Sequence, residues 1–451
     1  MEPPVQFDLT KEFRERFQQA LDERDQTFIR QSLEDVNAAD ITSLLYEFTS
    51  EESKYVLDLL TLELRSQIIN GLDSDTRKSF LKIFAVPEIT AIINQLDSDD
   101  AADVLNELPV REREEIIARM DPVLASQVID LLRYDDHVAG GIMAKELIKA
   151  NENWTVVQCI EEIRKQAEHV TKFYAVYVVD DHDKLLGRVA LQKLILTDSK
   201  TLVRDIFDED PMAVETYLQD TEVAEIMKKY DLESVPVVNV QGQLVGRITI
   251  DDVVDVITEQ AEEERQIMAG ISEDVEEDDS VWRNTRARLP WLVIGIAGGL
   301  LSARFMGLFE SEIERIAAIA FFIPLIQATG GNVGIQSSSL VVQSLVSQTM
   351  ADDGLLKRLG KVFSVALLNG LVLALLVFFG NTLIFGYDKL SIVVSVALFA
   401  VVNFASLIGT ATPLLLHRFG FNPALASGPF ITTTNDLLGL ALYFLTVHLF
   451  L

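Results

Sequence analysis

A single aspartate, Asp436, stands in a stretch that is otherwise uncharged from Phe419 to Leu451. An aspartate at the centre of a bilayer costs about 2.5–3.5 kcal/mol even on the lenient insertion scale. Thr432, Thr433, Thr434 and Asn435 surround it, and no buried cation is in evidence to pair with it. Carboxylate, hydroxyls, amides and free carbonyls offer only oxygen ligands, a set suited to hard cations such as Mg2+, Ca2+ or Mn2+. The plainer alternative is a protonated, hydrogen-bonded structural aspartate. A second concentration of carboxylates runs through Asp251, Asp252, Asp255, Glu259, Glu262, Glu263 and Glu264, then Glu273, Asp274 and 276–279, offset only by Arg265. Asp252, Asp255, Glu259 and Glu263 share one helical face by spacing. Like charges 4 Å apart repel by about 1 kcal/mol in water and ~4 kcal/mol at an effective dielectric of 20. Such a surface is held together when divalent cations are plentiful and parts when they are scarce, unless it is simply a solvated face.

These two features sit in different environments. Of 69 acidic and 38 basic residues, only 7 and 10 lie beyond residue 280, leaving −34 on the first part and +3 on the second. Half of the chain (49%) is hydrophobic. One soluble globular domain is thereby excluded, and a water-facing acidic module joined to a membrane domain is expected. The acidic surplus repels phosphate, so no nucleic-acid partner is expected. One cysteine, Cys159, excludes a disulfide framework and suits a reducing compartment. The opening MEPPVQFDLT lacks a basic segment followed by an apolar run, so no cleavable signal is expected.

Uncharged runs of 36, 26 and 28 residues follow Arg315, Lys361 and Lys389, and only Asp436 is charged after Arg418. A bilayer core needs about 20 apolar residues per helix, so these are four spans. Leu289–Ala303 continued to Phe309 makes a fifth, with Arg304 at its end. Basic residues cluster before the first span (Arg283, Arg286, Arg288), between the second and third (Lys357, Arg358, Lys361), and between the fourth and fifth (His417, Arg418). The positive-inside rule therefore places residues 1–288 in the cytoplasm and the C-terminus outside, in a multi-pass inner (cell) membrane protein surrounded by lipid. The glycine-rich run Pro324 to Gln336 and the Asn422-Pro423 to Asp436 stretch are expected to carry irregular backbone lining a pathway; small-residue packing is the alternative for the glycines.

The acidic part divides further. Residues 1–130 read as all-helical short hairpins, with Leu72-Asp-Ser-Asp75 recurring as Leu96-Asp-Ser-Asp99 and each Asp-Ser pair at a helix N-cap. Residues 131–255 hold an internal repeat at an offset of 59: Ala175-Val-Tyr-Val-Val179 with Leu185-Leu-Gly-Arg188, and Ser234-Val-Pro-Val-Val238 with Leu244-Val-Gly-Arg247. Two hairpins each followed by a helix resemble tandem CBS modules, a pairing that often binds adenine nucleotides. The resemblance points to Thr249 and Asp252 as nucleotide ligands in the second module. The first module has Ala190 and Lys193 there, and lysine cannot accept a hydrogen bond from ribose. One nucleotide site is therefore expected to be lost, and adenine nucleotide is not counted on as a cofactor. Residues 256–280 form an acidic connecting helix and linker, and 281–451 the membrane domain.

In this order the domains resemble a magnesium transporter of the MgtE family: an all-α N-terminal superhelix, an α/β CBS pair, a connecting (plug) helix and five transmembrane α-helices. Gly330-Gly-Asn332-Val-Gly334-Ile-Gln336, Pro423-Ala, Gly428-Pro429 and Asp436 carry the likeness, with Tyr134, Ala139-Gly140, Met143 and Asp251-Asp252-Val-Val-Asp255. The resemblance implies a homodimer whose pore lies on the two-fold axis, lined by the second and fifth spans. Asp436 would bind the ion, aided by Asn332 and by backbone carbonyls near Gly428 and Thr432. It also implies cytoplasmic Mg2+ sensors at Asp99, Asp103, Asp231, Asp252, Asp255, Glu263 and Glu264. The chain departs from the family at Asn422, at the cytoplasmic end of the fifth span, where any metal bridge is expected to be weaker, and at Gln219, Thr221 and Gln260, where carboxylates are common, so the sensor is expected to respond at different Mg2+ levels or to rely more on the 273–279 cluster. With no Walker loop or paired CxxC and five scattered histidines, no enzyme is expected. The expectation is a Mg2+-selective, channel-like importer closed by Mg2+ on its acidic domains. A divalent cation/H+ or Na+ exchanger (Mg2+ or Co2+) and a membrane-anchored sensor remain the alternatives.

Overall fold

Short helices punctuated by side-chain caps build the beginning of the chain. The computed structural model describes residues 9–166, 175–209, 211–272, 275, 280–346, 355–386, 388–426 and 428–451. Glu273, Asp274 and 276–279 of the acidic run therefore lie outside the described residues. Ten helices follow one another: α1 (Lys11–Glu23), α2 (Gln26–Leu33), α3 (Ala38–Leu45), α4 (Ser50–Leu59), α5 (Leu62–Asn70), α6 (Ser74–Leu81), α7 (Val86–Ile93), α8 (Ser98–Asn106), α9 (Val110–Ile117) and α10 (Pro122–Leu131). Thr10, Asp25, Asn37, Thr49, Thr61, Asp73 and Asp121 each accept a backbone N–H at a helix start, satisfying donors the helix cannot. Each cap ends one helix pair and aims the next, so helices pack on their next-but-one neighbours: α2 on α4, α3 on α5, α5 on α7, α7 on α9 and α8 on α10.

The following segment holds the two expected modules. In the first, β1 (Lys149–Asn151) runs parallel to β2 (Val176–Val179), which pairs antiparallel with β3 (Leu185–Val189) and through it β4 (Asp208–Glu209); α11 (Val156–Gln166) and α12 (Leu191–Leu196) complete it. In the second, β5 (Val214–Glu215) lies parallel to β6 (Ser234–Val238), β6 pairs antiparallel with β7 (Leu244–Thr249), and α13 (Asp220–Tyr230) and α14 (Ile250–Ala269) flank them. The 59-residue offset holds residue by residue: Val176 pairs with Val189 as Val235 pairs with Ile248, and both hairpins shift register at the equivalent step, Val178/Val179 and Val237/Val238. The first module has its own core around Cys159, Val178 and Leu194. The second shares one continuous core with the helical stack, running from Phe17 through Ile92 and Leu105 to Val235 and Val253.

Residues up to Ile257 and from Thr258 onward form two compact units. The second contains α15 (Val281–Gly307), α16 (Glu310–Arg315), α17 (Ile323–Val346), α18 (Leu355–Phe385), α19 (Lys389–Arg418) and α20 (Pro429–Phe450). Five helical segments among the described residues are long and apolar enough to cross a membrane, and they coincide with the five expected spans. α19 is central, packing on α17, α18 and α20, and α15 lies against α20.

Two expectations change here. α15 begins at Val281 rather than near Leu289, so Arg283, Arg286 and Arg288 ride on a helical extension of the first span. The run from Pro324 to Gln336 is continuous helix, not irregular backbone. Pro324 falls in the first turn, where its missing N–H has no intrahelical partner to lose. The break is confined to α20: Pro423–Ala426 form a 3-10 turn, and Gly428 (φ 56°, ψ −131°) precedes Pro429 at the first helical position.

Candidate functional site

Asp436 projects from α20 toward a cavity of about 340 Å3 bounded by α15, α17 and α20. Gly295, Gly298, Gly299 and Ser302 of α15, Gln327 of α17 and Thr433 of α20 share its lining. Glycines make it possible: three helices converge here, and residues without side chains leave space that no apolar neighbour fills. Oδ1 of Asp436 lies beside Gly331 of α17, so the double-glycine motif borders the carboxylate on one side. Among the described residues no lysine or arginine lines this cavity. Asn332 is exposed on α17 and lies outside the cavity lining.

Gly428 stands at the start of α20, beside the end of α14. Its oxygen already accepts from the backbone N–H and the Oγ1 of Thr432, at 3.1 and 3.0 Å. What Gly428 supplies is room: a β-carbon there would strike the carbonyl oxygen of Met268, near the end of α14. Gly270 (φ 82°) touches the Pro429 ring, and Ser272 donates both its N–H (2.9 Å) and its hydroxyl (2.8 Å) to the carbonyl of Ala287. The last turn of α14 is thus held between α15 and the start of α20. Asn422 spends its Oδ1 on the N–H of Ala424, capping the 3-10 turn at 2.8 Å.

The acidic residues of the first unit gather around a separate cavity of about 390 Å3. Asp97, Asp99 and Asp100 reach it from the start of α8; Asp251, Asp252 and Asp255 reach it from the start of α14. The local cause is a shared cap. Asp97 takes the N-cap position of α8 but makes no side-chain cap bond. Instead Glu146 accepts from the N–H and hydroxyl of Ser98 (3.2 and 2.8 Å), and Ser98 accepts the N–H of Lys145. A residue beyond the helical stack thus caps one of its helices, drawing α8 onto the second CBS module. Asp252 accepts the N–H and Oγ1 of Thr249 at 2.9 and 2.7 Å, and Oγ1 of Thr249 also meets Asp251. Thr249 and Asp252 are therefore bonded to each other at the start of α14, and Lys193 of the first module is paired with Asp208 at 2.9 Å.

Crowding and burial raise the titration of these carboxylates. Burial, then the charges of Glu146 and Asp100, pushes Asp97 up to about 6. Burial and its carboxylate neighbours push Asp252 up to about 6 against the hydrogen bonds from Thr249. Asp99, 9% exposed, is raised well above the ordinary range by burial and by Asp252 across the cavity. Arg247, 4% exposed, is the cation among the lining residues, while Arg77 nearby is committed to Glu107.

Of the residues expected from the resemblance, Asp99, Asp252 and Asp255 come together, and Asp103 lies exposed further along α8. Asp231 sits at the left-handed C-cap of α13, away from this lining. Glu263 is exposed on α14, and Glu264, half-buried, accepts from Gln260 at 3.4 Å. Asp97 and Asp100 join the group only through folding; their juxtaposition with Asp251 across some 150 positions leaves no local signal. Among the described residues no three His, Cys, Asp or Glu side chains converge as a direct metal cluster. Dispersed oxygen donors around a cavity fit a hydrated cation held through its waters, the manner in which Mg2+, slow to dehydrate, is often bound.

Comparison with known proteins agrees with this layout. Residues 323–446 match the family model of MgtE, described as a divalent cation transporter; 36–137 match the MgtE intracellular N domain; 139–197 and 203–259 each match a CBS domain. The magnesium transporter MgtE of Thermus thermophilus is 32% identical over 443 residues, covering 96% of this chain and 97% of that one. The Enterococcus faecalis magnesium transporter MgtE is 33% identical over 72% of each chain. Among solved structures, the cytosolic domain of the Mg2+ channel MgtE in complex with ATP aligns with 53% of this chain and 98% of its own, at 32% identity and a TM-score of 0.50. The chain belongs to the MgtE family of divalent cation transporters.

Proposed function

We propose that this protein is a channel-like importer of Mg2+, working as a homodimer and closed by Mg2+ bound to its cytoplasmic acidic domains. The observation that carries the reading is Asp436: a carboxylate within the fifth span, facing a cavity that no lysine or arginine lines among the described residues. Two such carboxylates across a two-fold axis attract a hydrated divalent cation and repel anions, and hydroxyls of Thr433 and Ser302 offer hydrogen bonds to its waters. The relatives' names as magnesium transporters support Mg2+ as the substrate. Residues 1–288 face the cytoplasm in this reading, because the basic residues flank alternate loops.

Gating follows from the electrostatics. With Mg2+ scarce, carboxylates of α8 and α14 repel and the junction loosens. With Mg2+ abundant, they are bridged through water, α14 is fixed, and its last turn holds the start of α20 shut. Asp99, Asp103, Asp252 and Asp255, with Glu263, Glu264 and Asp231 as outlying sites, are the sensor residues. Thr249 and Asp252 are engaged with each other, so a nucleotide would have to displace that bond; adenine nucleotide is not assigned as a ligand.

Mg2+ uptake into liposomes holding the purified protein tests the reading. Asp436→Asn is expected to lose most of the flux, and unchanged flux would remove Asp436 from the pathway. A strict requirement for a proton or sodium gradient would make the protein an exchanger instead.

A further inference from the structure

One turn of α20, from Thr432 to Asp436, is seated against glycines of two neighbouring helices. Thr433 meets α15 at Gly298, Thr432 and Asp436 meet α17 at Gly331, and Asn435 meets α17 one turn further on, at Gly334. The last is the tightest. A β-carbon at Gly334 would collide with Nδ2 of Asn435 and come within 2.8 Å of Cγ2 of Ile431. Behind it, the Gly334 carbonyl fills the place that a β-carbon on Gly409 of α19 would take. Asn435 is 2% exposed, and neither its Oδ1 nor its Nδ2 has a hydrogen-bond partner among the described residues. An unpaired buried polar group costs about 1–3 kcal/mol, whereas an apolar side chain in that place carries no such cost. Packing alone gives no reason for an amide here.

We propose that Asn435 is a positioning residue of the ion pathway: its carboxamide, seated directly against Gly334, sets the rotation and height of the α20 turn that presents Asp436 beside Gly331. The proposal rests on Asp436 being the ion site. A branched or missing side chain at Asn435 lets the turn rotate, and Asp436, the next residue, swings with it.

The test uses full-length protein in liposomes for Mg2+ uptake and in detergent for thermal unfolding, with Asn435→Leu and the double variant Gly334→Ala/Asn435→Ala. For Asn435→Leu the half-saturating Mg2+ concentration is expected to rise about fivefold or more while Tm does not fall, separating transport from folding. Gly334→Ala alone is expected to lower Tm; adding Asn435→Ala restores Tm but not the half-saturation. Wild-type half-saturation and maximal flux in either folded variant would overturn the proposal, as would failure of both to fold, which marks Asn435 as packing only. Asp436→Asn serves as the control. If it leaves flux unchanged, the ion-site reading itself has failed; if it abolishes flux while Asn435→Leu does not, the positioning role alone has.

Discussion

A β-carbon added at Gly331 would lie 3.8 Å from Oδ1 of Asp436 and 3.4 Å from Cγ2 of Thr432, ordinary van der Waals contact in both cases. Space alone therefore admits alanine there, unlike at Gly334. Gly331→Ala is expected to fold and to keep Mg2+ flux within about fivefold. Gly331→Leu extends toward the carboxylate and is expected to cut flux by roughly tenfold or more without loss of Tm. Equal flux from the two variants would place Gly331 off the ion path.

The raised carboxylates make the α8–α14 junction sensitive to pH. Asp97 and Asp252 titrate at about 6 in the folded protein, above the ordinary aspartate value of about 3.9. Stability from protonation is then fully present below about pH 4 and is lost as pH rises through about 6. In chelator, hydrogen-exchange protection of α8 is expected to be greater at about pH 5 than at about pH 7.5. Added Mg2+ is expected to restore protection at the higher pH and do little at the lower. Protection that rises with pH in chelator would contradict this.

Arg247 opposes the same carboxylates with a buried guanidinium whose Nε has no partner among the described residues. If Mg2+ binds there as proposed, it shares the negative field of the cavity with this guanidinium. Arg247→Gln is expected to lower, by roughly threefold or more, the Mg2+ concentration that half-protects α8 from exchange. A threshold that stays fixed or moves upward would leave Arg247 as a structural residue.

Gly428 combines a backbone conformation that L side chains rarely adopt with direct apposition to Met268. Gly428→Ala is expected to cost about 1–3 kcal/mol, read as a lower Tm. It should also push the end of α14 away, so that flux persists at cytoplasmic Mg2+ levels that close the parent protein. Normal closure in a destabilised variant would separate Gly428 from gating.

Much of this layout is legible in the sequence because it rests on composition and periodicity. Five uncharged runs mark five spans, an offset of 59 marks the paired modules, and Asp436 stands out because a charge amid apolar residues is costly. The N-terminal end of α15 escapes notice since Arg283, Arg286 and Arg288 make it look like a loop when charge is the criterion. The glycines of α17 suggest broken backbone, but their effect is on what packs against them: Asn435, Thr432 and Asp436 approach where no side chain stands. The acidic cavity is half legible. Asp252 and Asp255 belong to a visible run, whereas Asp97, Asp100 and Arg247 are brought to them by the cap that Glu146 places on α8.

The two hydrogen bonds from Ser272 converge on one atom, the carbonyl oxygen of Ala287. Two tethers with a common anchor fix a distance but not an angle. The segment that follows α14 is therefore moored to α15 at one point, and the contacts of Gly270 with Pro429 and of Gly428 with Met268 add the second and third points that settle its orientation. Replacing Ser272 by alanine removes the hydroxyl's hydrogen bond and leaves the backbone one, so the mooring is weakened without being moved.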